Sequence, residues 1–209
     1  NIGEGDPKFG FGIYRPDVPA RHERDRTVLG AEQMNWLDNR LRQSRAIWNV
    51  VASTVPVGEF EIKRQGDARP HYYYSSWDGY TANREALFQL LNKAENAVIL
   101  SGDIHSFWAK ELVANVNGQN QPIATEFTTS AISAGWPEPL SGPIANSLAA
   151  NPSTQFYDAT YRGYALHEIT PESWSTRLRG IDAVDSIPSK SLDVAAFRIS
   201  SGVPGATQV

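Results

Sequence analysis

The chain has 209 residues, 41% apolar and 20% charged, with a formal net charge of −4 and no cysteine. That length suffices for one substantial core, and the acidic balance excludes the basic footprint of a general nucleic-acid binder. Without thiols there are no disulfides and no thiolate metal sites, a composition that also suits export. No stretch approaches the roughly 18 uninterrupted apolar residues of a transmembrane helix. The opening NIGEGDPKFGFG shows neither the basic start nor the apolar run of a signal peptide.

Residues 1–28, rich in Gly, Pro and charge, read as an irregular arm. From Gly30 the period becomes helical: Met34, Leu37 and Leu41 fall at i, i+3 and i+7, Glu32 sits in the first turn, and Arg40, Arg42 and Arg45 cluster near the end. AIWNVVAST is β-branched and apolar and reads as a buried strand ending near Ser53-Thr54. A long polar-aromatic loop containing HYYYSSWDGY then runs to about Tyr80. A second helix starts near Thr81, taken as its N-cap, and places Leu87, Leu90, Leu91 and Ala94 on one face. The apolar run AVIL follows and ends in Ser101-Gly102-Asp103-Ile104-His105.

Strand, helix and strand with so long a crossover form a βαβ unit with parallel strands. Open α/β sheets bind ligands outside the carboxyl ends of their strands, and both Ser53-Thr54 and Gly102–His105 lie at such ends. Downstream, AKELVANV and IATEFTT flank NGQNQP, where Asn117-Gly118 supplies the positive φ of a hairpin turn. FTTSAISAGWPEP reads as a small-residue loop, and YRGYALHEITPESWSTRLRGI as two alternating strands around a turn at Pro171. There is no internal repeat and no linker. The expectation is one mixed α/β domain over residues 1–209, with mixed β-sheets flanked by helices.

The chemistry concentrates at Asp103 and His105. A carboxylate and an imidazole are what a hard cation at a phosphate takes as ligands, and two residues apart on an extended strand they point to one side. Gly102 lets the backbone turn and a ligand approach closely. A satisfied polar turn remains the other reading of the same residues. The remaining histidines read as structural: His22 in a solvated charged segment, His71 packed on the loop, His167 alternating within a strand. Tyr72-Tyr73-Tyr74 reads as loop packing. Asp78 is either a turn residue of Asp-Gly or, beside Trp77, part of a pocket wall. Ser53, Thr54 and Ser130 are candidates for supporting hydroxyls, and no G-x-S-x-G elbow makes a serine a nucleophile.

The blocks TVLGAEQMNWLDNRL, WNVVASTVPV, SSWDGYTANREALFQLL, VILSGDIHSFWAKEL, EFTTSAISAG and NPSTQFYDATYRGYALHEITPESW resemble, in this order, the PhoD-like alkaline phosphatases of the calcineurin-like metallophosphoesterase superfamily. The resemblance spans about residues 14 to 180 and rests most on the SWDGY and GDIH blocks. It implies an αββα sandwich, of which this chain would form half or more, and hydrolysis of phosphate mono- or diesters by metal-activated water. It further implies calcium and iron as cofactors, a periplasmic or extracellular location, and Asp103 and His105 as metal ligands. Trp77 and Asp78 would shape the pocket, with Ser53, Thr54 and Ser130 behind the ligands. The chain matches only the C-terminal half of the family. The segment FGFGIYRPDVP keeps Tyr14-Arg15 of an earlier family run but lacks the aspartate before it. The missing ligands would come from an N-terminal half or another protomer. A module of the same fold that binds phosphate or a protein without hydrolysis is the alternative; a β-rich carbohydrate- or calcium-binding domain fits the βαβ unit poorly.

Overall fold

The computed structural model describes residues 14–63, 66, 68–136 and 138–209; of the irregular arm expected over 1–28, residues 1–13 lie outside them. The chain after residue 13 is more ordered than the sequence suggested. Strand β1 (Tyr14–Pro16) pairs antiparallel with β3 (His71–Tyr73), so the arm and the aromatic loop clasp each other. Between them lie helix α1 (Gly30–Gln43) and strand β2 (Asn49–Ala52), both close to their expected limits. Helix α2 (Thr81–Leu91) is also as expected, but Tyr80 is its N-cap and Thr81 is already helical. The Thr81 hydroxyl donates instead to the carbonyl of Arg21.

The βαβ expectation holds. Strand β2 runs parallel to β4 (Ala97–Ser101), with Asn49 opposite Ala97 and Ala52 opposite Leu100. Strands β5 (Phe107–Val116) and β6 (Gln119–Thr128) form the hairpin, turning at Asn117 (φ 53°) and Gly118 (φ 84°), the two positive dihedrals of a type I′ turn. This hairpin does not begin a separate meander. It inserts into the same sheet, with β6 parallel to β4, giving the order β2-β4-β6-β5-β7 with β7 (Thr154–Asp158) at the edge. Helix α3 (Glu138–Ser147) lies between β6 and β7, within and beyond a stretch read as loop. Its proline and glycine content hid it from propensity. Strands β8 (Arg162–Ile169), β9 (Ser173–Ile181), β10 (Ser191–Ser200) and β11 (Thr207–Gln208) form a second, antiparallel sheet in the order β11-β10-β9-β8.

Strand alternation builds the layers. Ala97 and Ile99 of β4 face Leu37 of α1 and Leu87 and Leu91 of α2. Val98 faces the other way, into a core made with Phe107, Phe127, Trp174, Leu178 and Phe197 between the two sheets. Burial on both faces explains why AVIL lacks the alternation of a half-exposed strand. Leu87 and Leu91 are fully buried, each contributing roughly 1.5–3 kcal/mol of transfer free energy. The result is helix, sheet and sheet in three layers, the mixed α/β sandwich expected.

Inside this apolar frame, β6 carries a wholly buried carboxylate, Glu126. It accepts hydrogen bonds from the Val57 and Gly58 amides, both at 2.8 Å, and from the Ser101 hydroxyl at 2.7 Å. Lys110, also buried, donates to the Gly58 carbonyl at 2.9 Å and lies 4.8 Å from the Trp108 ring centroid. Burial lowers the pKa of its ammonium, and the charges of Glu126 and Asp78 oppose that shift. Replacing Glu126 by Ala leaves those donors buried without their acceptor, and we expect a loss of about 3–5 kcal/mol in urea unfolding; Glu126→Gln, which keeps the carbonyl oxygen, loses less.

His167 behaves as the sequence suggested. It sits beside Trp174 (ring centroids 5.3 Å) and within 2.9 Å of the Thr176 hydroxyl, and burial depresses its pKa below the usual 6.5. A half-buried imidazole held neutral stabilises above the unfolded-state pKa, so stability falls as pH drops below about 6.5 and on toward the folded-state value. His167→Gln is expected to flatten that part of the stability–pH curve.

Candidate metal centre

The carboxyl ends of β2, β4, β6 and β7 meet at one edge of the large sheet. Strand β4 stops at Ser101, so Asp103 and His105 are not presented on an extended strand as the spacing argument assumed. Both adopt positive φ, 72° at Asp103 and 57° at His105. The Ile104 amide donates to the Gly102 carbonyl at 2.9 Å, closing a three-residue γ-turn with Asp103 at its centre. That φ-positive form is rare and strained for a residue with a Cβ, at a cost of order 1–3 kcal/mol. The turn leaves Asp103 exposed and His105 half-buried.

Each side chain is oriented by one neighbour. The Tyr73 hydroxyl donates to Asp103 Oδ2 at 2.7 Å. Burial, the hydrogen bond to Asp103 and that residue's charge hold the Tyr73 hydroxyl well above its ordinary pKa, so it stays a donor. Its ring stacks on Tyr14 with centroids 5.3 Å apart, so β1 braces it. His105 Nδ1 lies 3.3 Å from the Gly135 carbonyl. A carbonyl only accepts, so that contact favours the proton on Nδ1 and leaves the lone pair on Nε2. An exposed carboxylate and an imidazole two residues on are a donor set that fits a hard or borderline cation. Among the described residues no group of three or more His, Asp or Glu side chains converges to complete a metal site.

The other candidates serve different ends. Asp78 is buried and borders a small cavity shared with Tyr73 and Ile104. Its Oδ1 pairs with Arg84, its Oδ2 accepts the Phe60 amide at 3.1 Å, and its carbonyl accepts Arg21 Nε at 2.5 Å. Glu59 joins both arginines, at 2.6 Å from Arg21. Burial raises the Asp78 carboxyl pKa, and the guanidinium of Arg84 opposes it. Trp77 is a core residue, 2% exposed, whose indole lies 3.3 Å from the Ser53 hydroxyl. Ser53 in turn donates to the Val55 carbonyl at 2.6 Å, tying its own loop rather than reaching toward the centre. Thr54 is exposed. Ser130 donates to the Tyr161 carbonyl at 3.0 Å, stapling the end of β6 to the start of the second sheet. His22 is held by Asp17 and Thr81 rather than free in solvent, and His71 is buried in β3.

Sequence reasoning missed Tyr73. It lies within the Tyr72–Tyr74 run read as packing, and only the β1–β3 pairing reveals which of the three turns toward Asp103.

A model of the PhoD-like phosphatase family matches residues 14–178. The chain belongs to the PhoD-like phosphatase family. It is 34% identical over 169 residues to alkaline phosphatase D of Bacillus subtilis (strain 168), an alignment covering 79% of this chain and 28% of that protein. A solved structure described as the structure of PhoD superposes with a TM-score of 0.79 at 28% identity, covering 94% of this chain and 38% of that one. The chain thus spans well under half the length of the PhoD-like relatives it matches, and the γ-turn at Asp103 lies inside the shared region.

Two substitutions separate support of the centre from support of the fold. Tyr73→Phe keeps the stack on Tyr14 and removes one hydrogen bond, so stability falls by about 1 kcal/mol; where Asp103 serves as a ligand in a complete centre, metal affinity, read by calorimetric titration, falls roughly 10- to 100-fold. Asp78→Ala leaves Arg84 and Arg21 short of their buried partner and costs about 3–5 kcal/mol in urea unfolding.

Proposed function

We propose that this chain forms part of the active site of a metal-dependent hydrolase acting on phosphate mono- or diesters, with Asp103 and His105 as metal ligands. The observation that carries the reading is the γ-turn, which holds an exposed carboxylate and a tautomer-fixed imidazole at the carboxyl edge of the sheet. Family membership and the printed name of the Bacillus subtilis relative support phosphoester chemistry. Calcium and iron are the proposed cofactors. Bound ions supply Lewis acidity toward phosphoryl oxygens and acidify a water for in-line attack. This chain's residues fix the ligand geometry: Tyr73 orients Asp103, and the Gly135 carbonyl holds the proton on His105 Nδ1.

A two-metal centre takes on the order of eight or more ligands, counting waters and substrate. The reading therefore assigns the remaining protein ligands to sequence beyond these residues, in a longer polypeptide or a second protomer. Action in the periplasm or outside the cell is part of the proposal, in keeping with a chain free of thiols. No helix among the described residues is long and apolar enough to cross a membrane.

The test replaces the matching segment of Bacillus subtilis alkaline phosphatase D with this chain and assays p-nitrophenyl phosphate and bis(p-nitrophenyl) phosphate, with metals counted by elemental analysis. We expect turnover in the chimera and little in the 209-residue chain alone, and a drop of roughly 100-fold or more in kcat/KM for His105→Ala and Asp103→Asn. Undiminished activity and metal content in both variants would refute the assignment; a phosphate- or protein-binding role without hydrolysis would show as a folded chimera that binds metal and turns nothing over.

A further inference from the structure

An open cavity of about 520 Å³ adjoins the centre, between α3 and the β7–β8 turn. Its place is fixed by two contacts. Gly135, whose carbonyl meets His105 Nδ1, precedes Trp136 in its wall, and Asp158, another wall residue, stands opposite Phe107 where β5 begins. The volume is that of a small-molecule site.

The wall has two kinds of surface. One is apolar: the rings of Trp136 and Tyr157, 6.2 Å apart at 71°, with Ala145 leaving room beside them. The other is polar and held in place. Asp158 Oδ1 accepts the Thr160 and Tyr161 amides, both at 3.1 Å, which fixes the carboxylate and leaves Oδ2 to accept from a ligand. Arg162 Nη1 donates to the Ala159 and Tyr161 carbonyls at 3.0 and 3.1 Å. No carboxylate lies within 4.0 Å of that guanidinium among the described residues, so Nε and Nη2 remain as donors. Fixed polar groups lose little entropy on binding.

An acceptor and a donor held in one wall beside aromatic surface suit a sugar ring. A pyranose ring presents vicinal hydroxyls that both donate and accept at its edge, and C–H groups on its faces. A planar aryl group would leave Asp158 and Arg162 unpaired, a short polyol would leave the aromatic faces uncovered, and a second anion would meet the Asp158 carboxylate. We propose that the cavity walled by Trp136, Tyr157, Asp158 and Arg162 binds a monosaccharide unit. The proposal deepens the reading above, on which that unit is the alcohol portion of a sugar phosphoester whose phosphoryl group lies at Asp103 and His105.

The binding itself needs neither metal nor hydrolysis, which keeps its test separate. Saturation-transfer NMR on the metal-free 209-residue chain, and on the chimera, uses methyl β-D-glucopyranoside and methyl N-acetyl-β-D-glucosaminide at about 10 mM, a range suited to weak millimolar binding, with glycerol and phenol as comparisons. The expected result is transfer to a pyranoside above both comparisons, abolished by Ala145→Phe, which fills the cavity, and weakened roughly tenfold by Arg162→Ala. It persists in His105→Ala. Absence of transfer to both pyranosides in protein with a dispersed amide spectrum overturns the proposal. So does equal transfer to glycerol or phenol, or transfer indifferent to both cavity variants. An inactive chimera that still binds a pyranoside refutes the hydrolase reading alone.

Discussion

A carboxylate buried in a sheet core must be surrounded by donors, and at Glu126 this requirement organises the edge where the centre lies. The donors come from the loop after β2, through the Val57 and Gly58 amides, and from the end of β4, through Ser101. Two connections that would otherwise be free to wander are drawn to one point immediately beneath the γ-turn. Gly58 is part of the arrangement: a Cβ there would lie 2.9 Å from Glu126, Leu112 and Lys110 side-chain atoms. Lys110 extends the polar interior to the Gly58 carbonyl, and Asp78 with Arg84 and Arg21 continues it to the base of β1. Polar networks in a low-dielectric interior favour one arrangement strongly, because each partly satisfied alternative is costly.

The centre inherits its shape from this foundation. Ser101 anchors the strand end one residue before Gly102, and Tyr73, braced by Tyr14 across the β1–β3 pair, reaches Asp103 from the opposite side. The Gly135 carbonyl fixes His105 from the segment leading into α3. The two candidate ligands are therefore held by three separate regions of the chain, far apart in sequence and joined only by the sheet.

Much of this was legible in the sequence where the signal was local. The period of Met34, Leu37 and Leu41, the unbroken apolar run of β4 and the Asn117-Gly118 turn each carry their own physics, and each element formed where expected. So did the placement of Asp103 and His105 at a parallel-strand end. What could not be read depended on partners distant in sequence. Spacing alone could not show Asp78 as a buried ion-pair hub, because that role lies with Arg21 and Arg84. Ser53 and Ser130 carry hydroxyls near the edge, yet backbone carbonyls claim both. Tyr73 differs from its two neighbours only through which strand its own strand meets. The positive φ at Asp103 and His105 is likewise invisible in a segment where Gly102 alone suffices for a turn.

The γ-turn has a bearing on what loading the centre would cost. Its strained backbone is held by contacts made entirely within the polypeptide: the Gly102–Ile104 hydrogen bond, Tyr73 on Asp103 and Gly135 on His105. Small metallo-domains that use the ion as their organising core gain shape and metal together. Here the turn takes its shape from hydrogen bonds within the chain itself. On the proposed reading, Asp103 and His105 would meet an ion already oriented, so little conformational freedom would be lost on loading.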